Sequence, residues 1–332
     1  MPRVVALLVP GALVALLAAW AACGPANGEA QEPAPSADAT GGEAPAEPGP
    51  GSDPDHVAAP TRPVENPVRP PSGPNLTEAQ QAVVRGLTLD AAGRFEEAAE
   101  AFAQATTLDP SYADAWLALG RTRSRLRDFA GARPPLEQAV ELRPDYGPNH
   151  AALGAALFEL EQWEAAEQAL GEAARLDPED VSSLERLGVM YRKLRRYQEA
   201  VQAYQMALQR APGDAGVLNN LGVAYRKLRR YDEAVAAHQQ AVDADPGNAV
   251  FHFNLAVAFR GQGQAQLAIM EYRRTIDCDP TMAGAWHDLG LLLADQDEDD
   301  AAIEALHRFL DLAPPDDEGL AAVRELLREL ED

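Results

Sequence analysis

Cysteine is nearly missing. Only Cys23 and Cys278 occur, too few for a disulfide framework, and Cys278 is expected to be a packed lone thiol. Aromatic residues make up 6% of the chain, although hydrophobic content is 46%. That shortage excludes a single thick core of rings and favours many small helix-helix contacts. Positive charge is scarce too: 28 Lys and Arg stand against 52 Asp and Glu, a formal net charge of −24. Generic binding to nucleic-acid phosphates needs clustered cations on a basic face, so nucleic acid is excluded as a partner. No Gly-rich phosphate loop, nucleophile elbow or paired-acid arrangement occurs, and the six His show no metal-ligand spacing. Asp295, Asp297 and Asp299 begin like a calcium loop, but Asp300 stands where Gly is needed and Leu306 where a bidentate Glu belongs. The reading is therefore a non-enzyme without cofactor or metal.

What is present begins with an export signal. Residues 1–23 have a basic start at Arg3, an apolar run from Val4 to Ala18, and small residues at Ala21 and Ala22. Trp20-Ala21-Ala22-Cys23-Gly24 resembles a bacterial lipobox, which implies a lipid on Cys23 after cleavage. Trp20 departs from the Leu of that pattern, and Gly24 resembles the outer-membrane class. Two other readings stay open: ordinary cleavage at Ala19-Trp20-Ala21, or a retained anchor over Val4 to Ala22. All three place the repeats outside the cytoplasm: ordinary cleavage gives a soluble secreted protein, and the lipobox reading an anchored one in the cell envelope, facing the periplasm.

Residues 24–75 are mostly Pro, Ala, Gly, Glu and small polar residues. Such a stretch buries too little apolar surface to offset its ordering entropy. It is expected to act as a disordered spacer that reaches up to roughly 150 Å at about 3.1 Å per residue.

Beyond it the chain repeats. Pro110, Pro144, Pro178, Pro212, Pro246, Pro280 and Pro314 recur every 34 residues, a coincidence on the order of one in a million or less. With each unit ending two residues after its Pro, the eighth position reads Gly86, Gly120, Gly154, Gly188, Gly222, Ala256 and Gly290. The twentieth is always Ala: Ala98, Ala132, Ala166, Ala200, Ala234, Ala268 and Ala302. Small residues about twelve apart suit two antiparallel helices where their axes approach. Residues 76–314 thus read as seven helical hairpins, and residues 315–332 as an amphipathic capping helix with Leu320, Val323, Leu326, Leu327 and Leu330 on one side. Pro134 and Pro135 fall inside the second helix of the second unit, so that helix is expected to start late or bend.

Trp116 and Trp286 at the fourth position, Leu-Gly at the seventh and eighth, and Tyr191 and Tyr225 at the eleventh resemble the tetratricopeptide repeat. The resemblance covers roughly Ala79 to Asp316. It implies an all-α solenoid, a right-handed superhelix of helix pairs whose first helices line a concave binding groove.

Tyr-Arg-Lys-Leu-Arg-Arg-Tyr occurs twice, at 191–197 and 225–231. Arg192, Lys193, Arg226 and Lys227 either complement helix C-termini or, by the family's geometry, face the groove as a cationic column continued by Arg260, with Arg125 in the second unit. The sixth position carries Arg186, Asn220, Asn254 and Asp288, with Asn219 beside it. The resemblance implies that such Asn residues hydrogen-bond an extended peptide backbone. Val189, Val223 and Val257 at the ninth position are either an apolar floor or ordinary packing. The expected guest is a protein or peptide with an acidic segment, drawn to cations in an otherwise acidic protein. Three readings of function stand: an envelope adaptor that binds its partner in the groove of units four to six, a structural spacer or self-associating solenoid, and a recruiting subunit of an envelope enzyme or a secretion or pilus assembly. Oligomeric state is not legible.

Overall fold

The period of 34 becomes fifteen helices in the computed structural model, which describes residues 68–73, 75–177, 179–317 and 319–331. They pair as α1 (Glu78–Ala91) with α2 (Phe95–Leu108), α3 (Ala113–Arg125) with α4 (Phe129–Leu142), α5 (Gly147–Glu159) with α6 (Trp163–Leu176), and α7 (Val181–Lys193) with α8 (Tyr197–Arg210). The series continues with α9 (Ala215–Lys227) and α10 (Tyr231–Ala244), α11 (Ala249–Gly261) and α12 (Ala265–Cys278), α13 (Ala283–Ala294) and α14 (Asp299–Leu312), and ends at α15 (Leu320–Glu331). Among the described residues there is no strand, and no helix is long and apolar enough to cross a membrane. The readings of residues 1–23 and of most of 24–75 lie outside the described residues. Val68, inside the stretch read as spacer, is buried in the first core cluster with Ala82 and Val83. At this one position of the stretch a β-branched side chain finds an apolar seat on the first unit.

Each helix packs on the next, and α3, α5, α7, α9 and α11 also touch one another in turn, whereas no two second helices meet to that extent. The layer of first helices is therefore the tighter, inner one, the side on which the family resemblance puts the groove. Within each hairpin the alanine at the twentieth position is fully buried in all seven units. The glycine at the eighth position makes room for the side chain at the twenty-fourth. A Cβ on Gly86 would lie 2.5 Å from the Phe102 ring, and one on Gly222 2.6 Å from His238.

Two features were not legible beforehand. The turn inside every hairpin puts its fifteenth residue in the left-handed region, yet only Gly93 and Gly263 are glycine there. Arg127, Glu161, Arg195, Arg229 and Asp297 adopt φ of 56° to 59° with a side chain present. The fourth position is a tie between units. Trp116 and Trp286 donate from Nε1 to the carbonyls of Pro110 and Pro280 at 2.9 Å, and His150 and His252 place Nε2 at 2.7 and 3.0 Å from those of Pro144 and Pro246. Units four and five carry Leu184 and Leu218 at that position.

Two expectations are corrected. The helix holding Pro134 and Pro135 does not start late, since α4 runs from Phe129 to Leu142 like its siblings. The Asp128 side chain caps it by accepting from the Gly131 N–H at 2.9 Å. Pro135 leaves the Gly131 carbonyl without its helical donor, and Arg123 Nη1 supplies one at 2.7 Å. Pro134 frees the carbonyl of Ala130, which is exposed to water. Cys278, expected packed, is exposed. It closes α12 at the thirtieth position, where Leu108 and Leu312 are also 43% and 39% exposed.

Candidate peptide-binding groove

The inner wall takes two forms. Along α9, α11 and α13 it is filled. Asn219, Asn220, Asn254 and Val223 are fully buried, and Val257 and Arg226 nearly so. Asn219 Oδ1 accepts from Asn254 Nδ2 at 2.9 Å and meets His238 Nδ1 at 3.1 Å. Both amide atoms of Asn220 lie buried with no partner in the structure. Arg260 pairs with the fully buried Asp288 at 3.3 Å, and Tyr272 donates to the same carboxylate at 3.0 Å. Burial alone lowers the Arg260 guanidinium, but Tyr272 and Asp288 outweigh it and hold it above its ordinary value. The cations of the repeated motif also have neighbours of their own. Lys193 is exposed but reaches back over the Phe158 and Trp163 rings at 5.2 and 5.9 Å. Arg192, Lys227 and Val189 are half-buried. The motif's last Arg serves the fold: Arg196 and Arg230 lie over the Tyr191 and Tyr225 rings at 4.6 and 4.7 Å and pair with Glu199 and Glu233.

Along α3, α5 and α7 the wall is open. A cleft of about 790 Å³ is floored by Ala151, Ala152, Ala155 and Ala156 of α5 and flanked by Arg121 and Arg125 of α3 and Arg186 of α7. Of the groove residues expected from sequence, Arg186 lies here, together with Arg125 from the extended column. Arg121 was missed, because nothing at the ninth position of its siblings suggests a cation. It is 8% exposed. Burial, then the neighbouring Arg125, drives its guanidinium down to about 10, with Asp90 pulling the other way. Burial lowers Arg186 as well, against Glu159 and Glu185. Arg125 pairs with Asp90 at 2.5 Å. The cleft's carboxylates sit differently: Glu159 and Glu179 are exposed on its rim, and Asp180 turns onto Ser183 to cap α7.

This repeat architecture has known counterparts. The family model described as the C-terminal domain of cilia and flagella-associated protein 70, a tetratricopeptide module, matches residues 60–276. The chain belongs to the tetratricopeptide-repeat family. A comparison with curated protein sequences returns no match. Among solved structures, the C-terminal part of a tetratricopeptide protein from Cytophaga hutchinsonii aligns at a TM-score of 0.62 with 16% identity, over 72% of this chain and 98% of that one. YrrB, described as a tetratricopeptide protein with an unusual peptide-binding site, aligns at 0.52 with 22% identity, over 57% and 98%. The Cut9-Hcn1 tetramer of the APC/C aligns at 0.52 with 24% identity over 65% of this chain, which spans 43% of the matched chain. At these identities the likeness is one of fold. Among the described residues of this tetratricopeptide chain no cluster of His, Cys, Asp or Glu is placed to hold a metal ion.

Proposed function

We propose that the chain is a non-catalytic adaptor of the bacterial cell envelope, tethered through Cys23, whose inner wall holds an acidic segment of a partner protein. The observation that carries this reading is the convergence of Arg121, Arg125 and Arg186 on one open cleft in a protein of net charge −24. Desolvated cations that disfavour one another gain when a carboxylate joins them, and their field is concentrated by the concave wall. The engaged partner sits on units two to four. Farther along, the wall is filled by the chain's own side chains, which is the one feature favouring a spacer role for units five to seven.

The test is fluorescence anisotropy of the full chain with a short labelled Glu- and Asp-rich peptide. Binding is expected to weaken with salt and to fall at least about tenfold in the Arg121→Glu/Arg186→Glu variant. Equal binding of an uncharged peptide, or no effect of charge reversal, overturns the reading. Cell fractionation checks the tether: Cys23→Ala is expected to move the protein out of the membrane fraction.

A further inference from the structure

The cleft exists because side chains are missing, and the missing ones fall in one unit only. At the fifth, sixth and ninth positions the other units carry Val83, Val84 and Leu87; Leu117, Ala118 and Arg121; Glu185, Arg186 and Val189; Asn219, Asn220 and Val223; Phe253, Asn254 and Val257; His287, Asp288 and Leu291. The third unit alone has Ala at all three, Ala151, Ala152 and Ala155. Its floor is apolar, with Phe129 and Val181 on the border, and guanidiniums stand on both flanks. The volume of about 790 Å³ falls in the range of pockets that enclose a sizeable group, roughly 300–1,000 Å³.

We infer that the hollow over α5 is a specificity pocket for an aromatic side chain whose neighbours in the guest carry carboxylates. This rests on the adaptor reading above and narrows its guest. Charge alone does not fix which guest residue sits over the floor, because the guanidiniums stand on the flanks. An alanine floor offers no polar partner, so what covers it must be apolar. A ring suits the flanks better than an aliphatic chain does, since a guanidinium stacks on a ring face while its N–H groups reach a nearby carboxylate. The chain already makes this arrangement within itself. Arg143 lies 3.9 Å from the Tyr146 ring centroid while pairing with Asp114 at 2.7 Å, and Arg196 covers Tyr191 while pairing with Glu167 at 2.9 Å.

The experiment compares three labelled peptides of one acidic frame with Phe, Leu or Ala at the centre, bound to the full chain and to Ala155→Leu. Ala155 is half-buried, so Leu there fills the pocket from its surface. Ala151→Leu serves the same purpose if the first variant melts early by circular dichroism. The Phe peptide is expected to bind about tenfold or more tighter than the Ala peptide, with Leu between them. Filling the pocket should bring Phe down to the Ala level and leave the Ala peptide unchanged. Equal affinity of Phe and Ala peptides, or a preference that survives filling, overturns the pocket while leaving the adaptor intact. If none of the three binds, the adaptor reading itself falls.

Discussion

On α5, Ala151, Ala152 and Ala155 leave the inner wall hollow between Arg121 and Arg186. On α9 and α11 the same positions hold Asn219, Asn220, Val223, Phe253, Asn254 and Val257, all buried. Both regions use one backbone frame, so the frame does not decide where a guest can sit. What decides it is whether the first helices carry side chains large enough to fill the inner wall or only alanines. Units five to seven fill it with their own side chains, joining Asn219 to Asn254 and Arg260 to Asp288 and leaving the Asn220 amide buried without a partner. Units two to four leave it open over the alanines of α5.

The comparison breaks most sharply under paired substitutions. Asp288→Ala removes the carboxylate that holds Arg260 and Tyr272 and leaves a largely buried cation alone, so a loss of about 3–5 kcal/mol is expected in urea unfolding. Arg186→Ala, on the open wall, should change stability by less than about 1 kcal/mol while weakening binding of the acidic peptide. Equal stability losses would erase the distinction between the two regions.

Acid sharpens the same contrast. Burial, then Arg226, drives His238 down to about 3 from an ordinary 6.5. Between those values the unfolded chain takes up a proton that the folded chain refuses, so stability falls as pH drops through the window. This one group contributes about 1.4 kcal/mol per pH unit there. His238→Phe, copying Phe102 at the same repeat position, should flatten that part of the pH profile, measured by unfolding between pH 6.5 and pH 3. An unchanged slope would remove His238 as the cause.

The smallest effect lies in the turn between α9 and α10. Arg229 sits at φ 58°, so Arg229→Gly should relieve backbone strain and stabilise by about 0.5–1 kcal/mol. A thermal melt is the measurement. A loss instead would mean that the arginine side chain matters more than its backbone.

The fold was legible because it repeats: proline, glycine and alanine at fixed intervals state two helices, their closest approach and their end, seven times over. The left-handed fifteenth position stayed hidden because five of seven units put a charged residue where glycine would have announced it. Pro134 and Pro135 misled because the rescue of α4 comes from Arg123, a residue on another helix that no local rule reaches. The site was half legible. Column positions found Arg186, but sequence could not show that Asn219 and Asn254 bond each other or that Arg260 has Asp288. The open cleft went unseen because its defining residues are alanines, which a search for reactive or charged groups passes over.

The ties at the fourth position add a mechanical consequence. Tryptophan or histidine nitrogens rivet the first unit to the second, the second to the third, the fifth to the sixth and the sixth to the seventh. The seams on either side of unit four lack that rivet and carry load through leucine contacts, which slide, and through side-chain pairs such as Arg196 with Glu167. Tension along the repeats is therefore expected to open the seams beside unit four before the riveted ones.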